Sequence, residues 1–413
     1  MEIKLKNRRK CTKKIISASF LVYIFTFCLK KNFSSQIDSF QKLIFADVWC
    51  FFANDLLIAK EQTIFARKSI LKDMKKQIFL PLFMMMIFVA GDISAGRPRK
   101  VVFEPTEMRY GDTTRSQLPF AKDPTVIEYG GRYLMFYTIQ AYEKELQPAA
   151  LAPLQEGWNA AIAESKDMLN WTRVNDLDLR DSKGNRIWGC IAPCVKVLDG
   201  EIHLFYQRWT EREKNNNIWH ATSPDGLTFT NTCDEPIFVP HNDWSINRSI
   251  DAEVYKVGNK LILAFATRDK KGEIQMIGMA EAPYGSDYGP DKWTELTTEG
   301  PLLKPDFPWE GHCIEAPTVI RHKGIWYMFY AGAYNHEHQM IGLATSTDGY
   351  NYKRVDDEGL VFRSGEEGSW NAGESGHPGV FKDRRGRVWL FFQGKASQNG
   401  NYLLSVCRIR FKR

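Results

Sequence analysis

DPTVIEYGGRYLMFY at residues 123–137 and APTVIRHKGIWYMFY at 316–330 are two copies of one pattern. Three further stretches align with them: APCVKVLDGEIHLFY at 192–206, DAEVYKVGNKLILAF at 251–265 and HPGVFKDRRGRVWLFF at 377–392. The second column holds Pro124, Pro193, Ala252, Pro317 and Pro378. A far aromatic column holds Tyr137, Tyr206, Phe265, Tyr330 and Phe392. Successive copies begin 69, 59, 65 and 61 residues apart. A period of this size marks a repeat architecture, in which units stack because none can bury its faces alone.

Each copy reads as two strands around a Gly or Asn turn, the second strand rich in β-branched and aromatic residues. A third element follows in AESKDMLNW (163–171), ATSPDGLTF (221–229) and ATSTDGYNY (344–352). Their shared A-x-S-x-D and terminal aromatic predict an outer strand, a tight turn and a last strand. Strand-and-turn units of roughly 60 residues suit four-stranded blades with long connections. The expected fold is all-β: a five-bladed β-propeller over residues 96–413. No long helical periodicity interrupts it.

The chain before that point reads differently. Residues 74–95, MKKQIFLPLFMMMIFVAGDISA, have a basic start, an apolar run from Ile78 to Ala90, and small residues at Ser94 and Ala95. That is the layout of a secretory signal peptide, which implies export to a periplasmic or extracellular setting. A signal belongs at a chain start, so Met74 reads as the true start and residues 1–73 as upstream sequence. The rival is an N-terminal anchor at Ile15–Leu29, which is short for a membrane span of about 20 residues. Residues 1–73 carry net +8 and residues 74–95 net +1, which leaves −3 for residues 96–413 of a chain at +6. The basic balance therefore gives no support for nucleic-acid binding by the propeller. Five of the eight cysteines lie in it, at irregular spacing without a CxxC pair, and read as buried thiols.

In a propeller the innermost strands begin beside the central channel, so the openings of the five copies converge. They offer Asp123, Asp251, Glu315 just ahead of its Ala-Pro, and His377, while blade two offers Ile191 and Ala192. Carboxylates crowded in one pocket raise each other's pKa and cost stability, and such a cluster is kept mainly where chemistry needs it. Glycoside cleavage needs a carboxylic acid on the leaving oxygen and a carboxylate across the anomeric carbon. Arg208, Trp209, Arg268 and Gln393 follow the aromatic columns, and Arg248, Tyr334 and His336 lie in loops. All are candidate sugar-binding residues, although Arg208 and Arg268 could equally be inter-blade salt bridges. Trp209 offers a stacking face for a pyranose.

Asp123-Pro124, Asp251 and Glu315, set in this blade pattern, resemble glycoside hydrolase family 43 and its relatives, among them propeller families 117, 32, 62 and 130. The resemblance covers most of residues 116–395. It implies Asp123 as general base, Asp251 as the residue that orients and tunes the acid, and Glu315 as general acid of an inverting enzyme on plant or algal glycans. Family members commonly have Glu-Gly-Pro at the acid, where this chain has Glu315-Ala316-Pro317. A histidine ahead of the acid in family 117 suggests His312 as a further substrate contact, at a different spacing. Similar propellers place a channel histidine near calcium, which makes His377 a candidate ligand of a structural calcium, with no cofactor required for catalysis. A glycoside phosphorylase using the arginines for phosphate, and a carbohydrate-binding propeller without catalysis, are the alternative functions.

Overall fold

The computed structural model describes residues 98–146, 157–209 and 216–412. The signal-like segment 74–95 and the stretch 1–73 lie outside the described residues. Among the described residues twenty-three strands form five sheets. Blade one consists of Lys122–Tyr129, Arg132–Ile139, Asn159–Ser165 and Thr172–Asp176. Blade two runs Cys190–Leu198, Glu201–Arg208, Ile218–Ser223 and Thr228–Asn231. Blade three runs Ile250–Val257, Lys260–Arg268, Gln275–Pro283 and Thr294–Glu295, and blade four Ile314–His322, Ile325–Gly332, Met340–Ser346 and Lys353–Arg354. Each is an antiparallel four-stranded meander that opens at an aligned column. Two blades add strands: Asp178–Arg180 and Arg186–Ile187 extend blade two, and Leu360–Phe362 pairs with the third strand of blade four.

Blade five closes the ring. Glu374–Lys382, Val388–Lys395 and Leu403–Lys412 supply three strands, and its outermost strand is Lys100–Tyr110, from the other end of the described chain. No repeat copy announces that strand in the sequence.

The apolar residues segregate into five clusters, one at each blade-to-blade interface. Between blades one and two, Phe136 and Leu134 meet Val195 and Tyr206, all fully buried. Between blades four and five, Phe329 and Tyr327 meet Phe391's neighbours Leu390 and Phe392. The aromatic column is thus the packing surface of the ring, which is why it repeats. In the three A-x-S-x-D turns, the hydroxyls of Ser165, Ser223 and Ser346 each accept a 2.9 Å hydrogen bond from the backbone N–H three residues on. Cys190, Cys194, Cys313 and Cys407 are buried free thiols, and Cys233 is half-buried. No helix among the described residues is long and apolar enough to cross a membrane.

Every innermost strand carries the same irregularity at its start. The ladder advances three residues on the inner strand against two on its partner, at Lys122/Thr125, Ile191/Cys194, Ile250/Glu253, Glu315/Thr318 and Gly376/Gly379. The extra residue makes a β-bulge, which re-aims a side chain. At each bulge one non-glycine residue has positive φ: Asp123 (53°), Ala192 (45°), Asp251 (52°), Ala316 (50°) and His377 (42°). Such a conformation costs about 1–3 kcal/mol per residue and persists where the surroundings over-determine it. The five bulges ring the channel, and those of blades one, three and five place Asp123, Asp251 and His377 in the cleft at its mouth.

Candidate active site

The bulges bring Asp123, Asp251 and His377 together with Glu315, the residue just ahead of the bulge in blade four. All four line a cleft of about 550 Å³ at the channel mouth. Nε2 of His377 lies 3.3 Å from Asp123 Oδ1 and 3.5 Å from Asp251 Oδ1. Lys122 Nζ reaches within 4.0 Å of Asp123 Oδ1. Burial works against charge on both members of the His377 pair. For His377, Asp123 and Asp251 outweigh burial and lift its pKa to about 9, so it is an imidazolium at neutral pH. For Asp123, His377 first, then Lys122 and a hydrogen bond from Thr138, outweigh burial and hold the carboxyl below its usual range.

Glu315 is the opposite case. Burial, then the nearby charge of Asp251, pushes its pKa up to about 7, against the pull of His377 and Gln339. Its Oε1 accepts a 2.8 Å hydrogen bond from Gln339 Nε2, and its Oε2 accepts one from Gln275 Nε2. Carboxyl groups in one pocket with pKa values driven apart are the mark of an acid–base pair.

Two amides and a hydroxyl fix three of the bulges. Gln393 Oε1 accepts from the backbone N–H of Asp123 (3.2 Å), Gln207 Oε1 from that of Asp251 (3.1 Å), and Thr138 Oγ1 from that of Ala192 (2.9 Å). These three residues occupy one place, directly after the aromatic column, so blades five, one and two each hold the bulge of the next. Behind Gln393, its Nε2 donates to buried Glu374 (2.7 Å), which pairs with Lys395. Lys395 Nζ also donates to the Asn335 carbonyl (2.6 Å), anchoring the loop that bears Tyr334 and His336.

Among the sequence-derived candidates, Trp209, Arg248, Arg268, Tyr334 and His336 line the cleft. Gln393 is fully buried beneath it and acts on Asp123 through the backbone. Arg208 and His312 do not line it. Side chains alternate along a strand, so Gln207 faces the site while the Arg208 guanidinium lies 4.8 Å over the Trp219 ring. His312 is exposed and contributes a carbonyl, which accepts from the Gln275 N–H at 2.8 Å. The salt-bridge reading of Arg208 and Arg268 also fails among the described residues, where Arg268 stacks near Tyr334 and donates to Gln275 Oε1. His377 forms an ion pair with two carboxylates, and among the described residues no group of three or more His, Cys, Asp and Glu side chains could hold a metal.

Sequence reading missed Lys122, Trp158, Gln207, Gln275 and Gln339. Lys122 stands at the same place in blade one as Glu315 in blade four, one residue before the bulge, so the repeat alignment contained that signal.

Gly376 makes room for this arrangement. A Cβ there would stand 1.8 Å from Gln339 Oε1, and Gln339 is fully buried. Gly376→Ala is expected to displace Gln339 from Glu315. Turnover should fall at least about tenfold and the fold should lose about 1–3 kcal/mol, read by steady-state kinetics and thermal melting. Unchanged turnover would show that Gln339 does not set the Glu315 carboxyl.

A five-bladed propeller whose cleft gathers a near-neutral carboxylic acid and an ionised aspartate has the groups that a glycoside hydrolase needs. The comparisons agree, and they go further. The sequence profile of Glycosyl hydrolases family 43 matches residues 114–408, and the chain belongs to that family. Among solved structures, a thermostable family-43 glycoside hydrolase is 19% identical over 73% of this chain and 93% of that one, with a TM-score of 0.54. An endo-1,4-β-xylanase from Bacteroides thetaiotaomicron is 19% identical over 69% and 89%, with a TM-score of 0.50. The catalytic domain of the family-62 α-L-arabinofuranosidase of Coprinopsis cinerea is 13% identical over 76% and 97%, with a TM-score of 0.53. At these identities the likeness is one of fold. No curated protein sequence matches the chain.

Proposed function

We propose that this glycosidase inverts the anomeric carbon by single displacement. Asp123 takes a proton from a water on one side of the sugar, and Glu315 protonates the leaving oxygen on the other. Burial, and then like-charge repulsion from Asp251, keeps Glu315 protonated. His377 holds Asp123 ionised. The scheme uses water and these side chains. Plant or algal oligosaccharides are the substrates we infer, which accords with the xylanase and arabinofuranosidase of similar fold. We also infer export, with residues 74–95 as leader and a mature chain from about Gly96. N-terminal sequencing of native protein checks that, and a mature chain retaining residues ahead of Met74 would refute it.

The observation that carries the mechanism is the split between a lowered Asp123 and a raised Glu315. The test is NMR of the product during early turnover. Inversion supports the scheme, and retention removes Asp123 from its role as base. Inversion further requires the two carboxyl groups to stand about 6.5–9.5 Å apart, with a water between.

The same split fixes a pH profile. Asp123 must be ionised, so kcat/KM should rise with pH below the ordinary carboxylate range. Glu315 must be protonated, so activity should fall as pH rises through about 7. Asp251→Asn removes the negative neighbour that favours the protonated form. The basic limb should then move to lower pH by about one unit, as well as dropping in height. A basic limb that stays in place would mean that Asp251 does not tune Glu315.

A further inference from the structure

Arg248 and Arg268 enter the cleft from the same side, one from the loop ahead of blade three and one from the end of its second strand. They share a single neutral acceptor. Gln275 Oε1 takes 3.1 Å from Arg268 Nε and 3.4 Å from Arg248 Nη1, while the other end of the same amide donates to Glu315. Among the described residues neither guanidinium forms an ion pair. Other buried or half-buried arginines of this chain are matched: Arg354 with Glu310, Arg173 with Asp112, and Arg115 with Asp176. Two like charges, partly withdrawn from water and with only an amide oxygen between them, repel. Among the described residues each makes one side-chain hydrogen bond, from the five N–H donors a guanidinium carries. Arg248 shows the strain: burial first, then Arg268, lowers its pKa, against the opposing pull of Asp251 and Glu315. A sugar hydroxyl would satisfy a donor and add no opposing charge to the distant pull of Asp251. An oxyanion would satisfy both, and guanidinium forks match carboxylate geometry in pairs.

Resting on the hydrolase reading above, we propose that Arg248 and Arg268 form an anion-recognition subsite, so that the glycan in the cleft carries a uronate carboxylate or a sulfate ester beside the bond that is cut. The arginines stand on the Glu315 side of the pocket through Gln275. Binding the anion there leaves Asp123 free for water on the other side. The trio also couples recognition to chemistry, because the amide that both arginines hold is the amide that orients the acid.

The test uses binding, so that it stands apart from turnover. Full-length protein carrying Glu315→Gln is immobilised and challenged with four oligosaccharide pools. These are a galacturonan-rich pectic hydrolysate, the same pool after carboxyl reduction, a sulfated galactan hydrolysate, and the same pool after desulfation. At least tenfold greater retention of one charged pool over its neutralised form is expected, and which pool is retained tells carboxylate from sulfate. Arg248→Gln or Arg268→Gln in the same background should abolish that preference, and the corresponding Lys variants should keep part of it. Melting temperatures separate loss of binding from loss of fold. Equal retention of charged and neutral pools, or retention of none, overturns the proposal. So does inorganic phosphate that binds through the same arginines and appears in a sugar phosphate product of the wild type. In the two retention outcomes the inverting hydrolysis of an aryl glycoside by wild type remains a separate reading, decided by product stereochemistry, whereas a sugar phosphate product would overturn that reading as well.

Discussion

Glu315→Gln and Asp123→Asn should each reduce kcat by about 100- to 10,000-fold, the range that a positioned general acid or base contributes. The two losses should differ in kind. Glu315→Gln loses the proton donor, and an aryl glycoside with a good leaving group needs little protonation. Its deficit should therefore shrink across a series of increasingly acidic phenols. Asp123→Asn loses activation of the water, which every substrate needs, so its deficit should stay constant along that series. Gln at 315 keeps the shape that Gln275 and Gln339 hold, and Asn at 123 keeps the bulge that Gln393 fixes through the backbone. Melting temperatures close to wild type are expected for both. A Glu315→Gln deficit that does not depend on the leaving group would assign the acid to another residue.

The second large effect lies at the far edge of blade five. Eight residues of Lys100–Tyr110 pair with Leu403–Lys412, and Val101 and Phe103 pack on the cluster between blades four and five. Fully burying such a side chain is worth about 1.5–3 kcal/mol, and these two, partly buried, each contribute some fraction of that. The Arg99 backbone N–H also donates to Tyr327 at 2.8 Å. A chain starting at Gly96 should fold. A chain starting at Asp112 should not, because a typical domain has only about 5–15 kcal/mol in reserve. It would also present a bare strand edge, which invites aggregation. Circular dichroism and gel filtration distinguish the outcomes. A shortened chain that melts within a few degrees of the longer one would mean that blade five closes without its outer strand.

These two predictions differ in how visible their residues were beforehand. Asp123, Asp251 and Glu315 stand out because the repeat fixes where each inner strand begins, and the ring fixes that all beginnings meet. The aromatic column was legible for the same reason, since the same interface is packed five times. Lys100–Tyr110 belongs to no copy of the repeat. Its partner is some 300 residues away in sequence, and nothing local marks it as a fourth strand. Gln275 and Gln339 were hidden differently. They come from a third strand and a loop, where the copies diverge, and an isolated glutamine carries no signal of what it will touch. Arg208 was misplaced through strand parity: the column ends at Tyr206, and the next residue to face the cleft is Gln207. His377 was placed correctly, but its chemistry depended on two carboxylates whose distances only the fold supplies.

The repeated bulge has a consequence for how such a protein changes over time. The residue at each bulge sits outside the ladder that holds its blade together, so its identity can change while the strand pairing persists. The ring therefore behaves as five sockets around one opening. Three hold Asp123, Asp251 and His377, and two, at Ala192 and Ala316, hold a methyl group. An acid or an imidazole could be moved into those alanine sockets, rotating the reactive apparatus around the axis and presenting a differently shaped sugar to it. Novelty of specificity in this scaffold then needs few substitutions, all on a rim whose backbone is already bent to receive them.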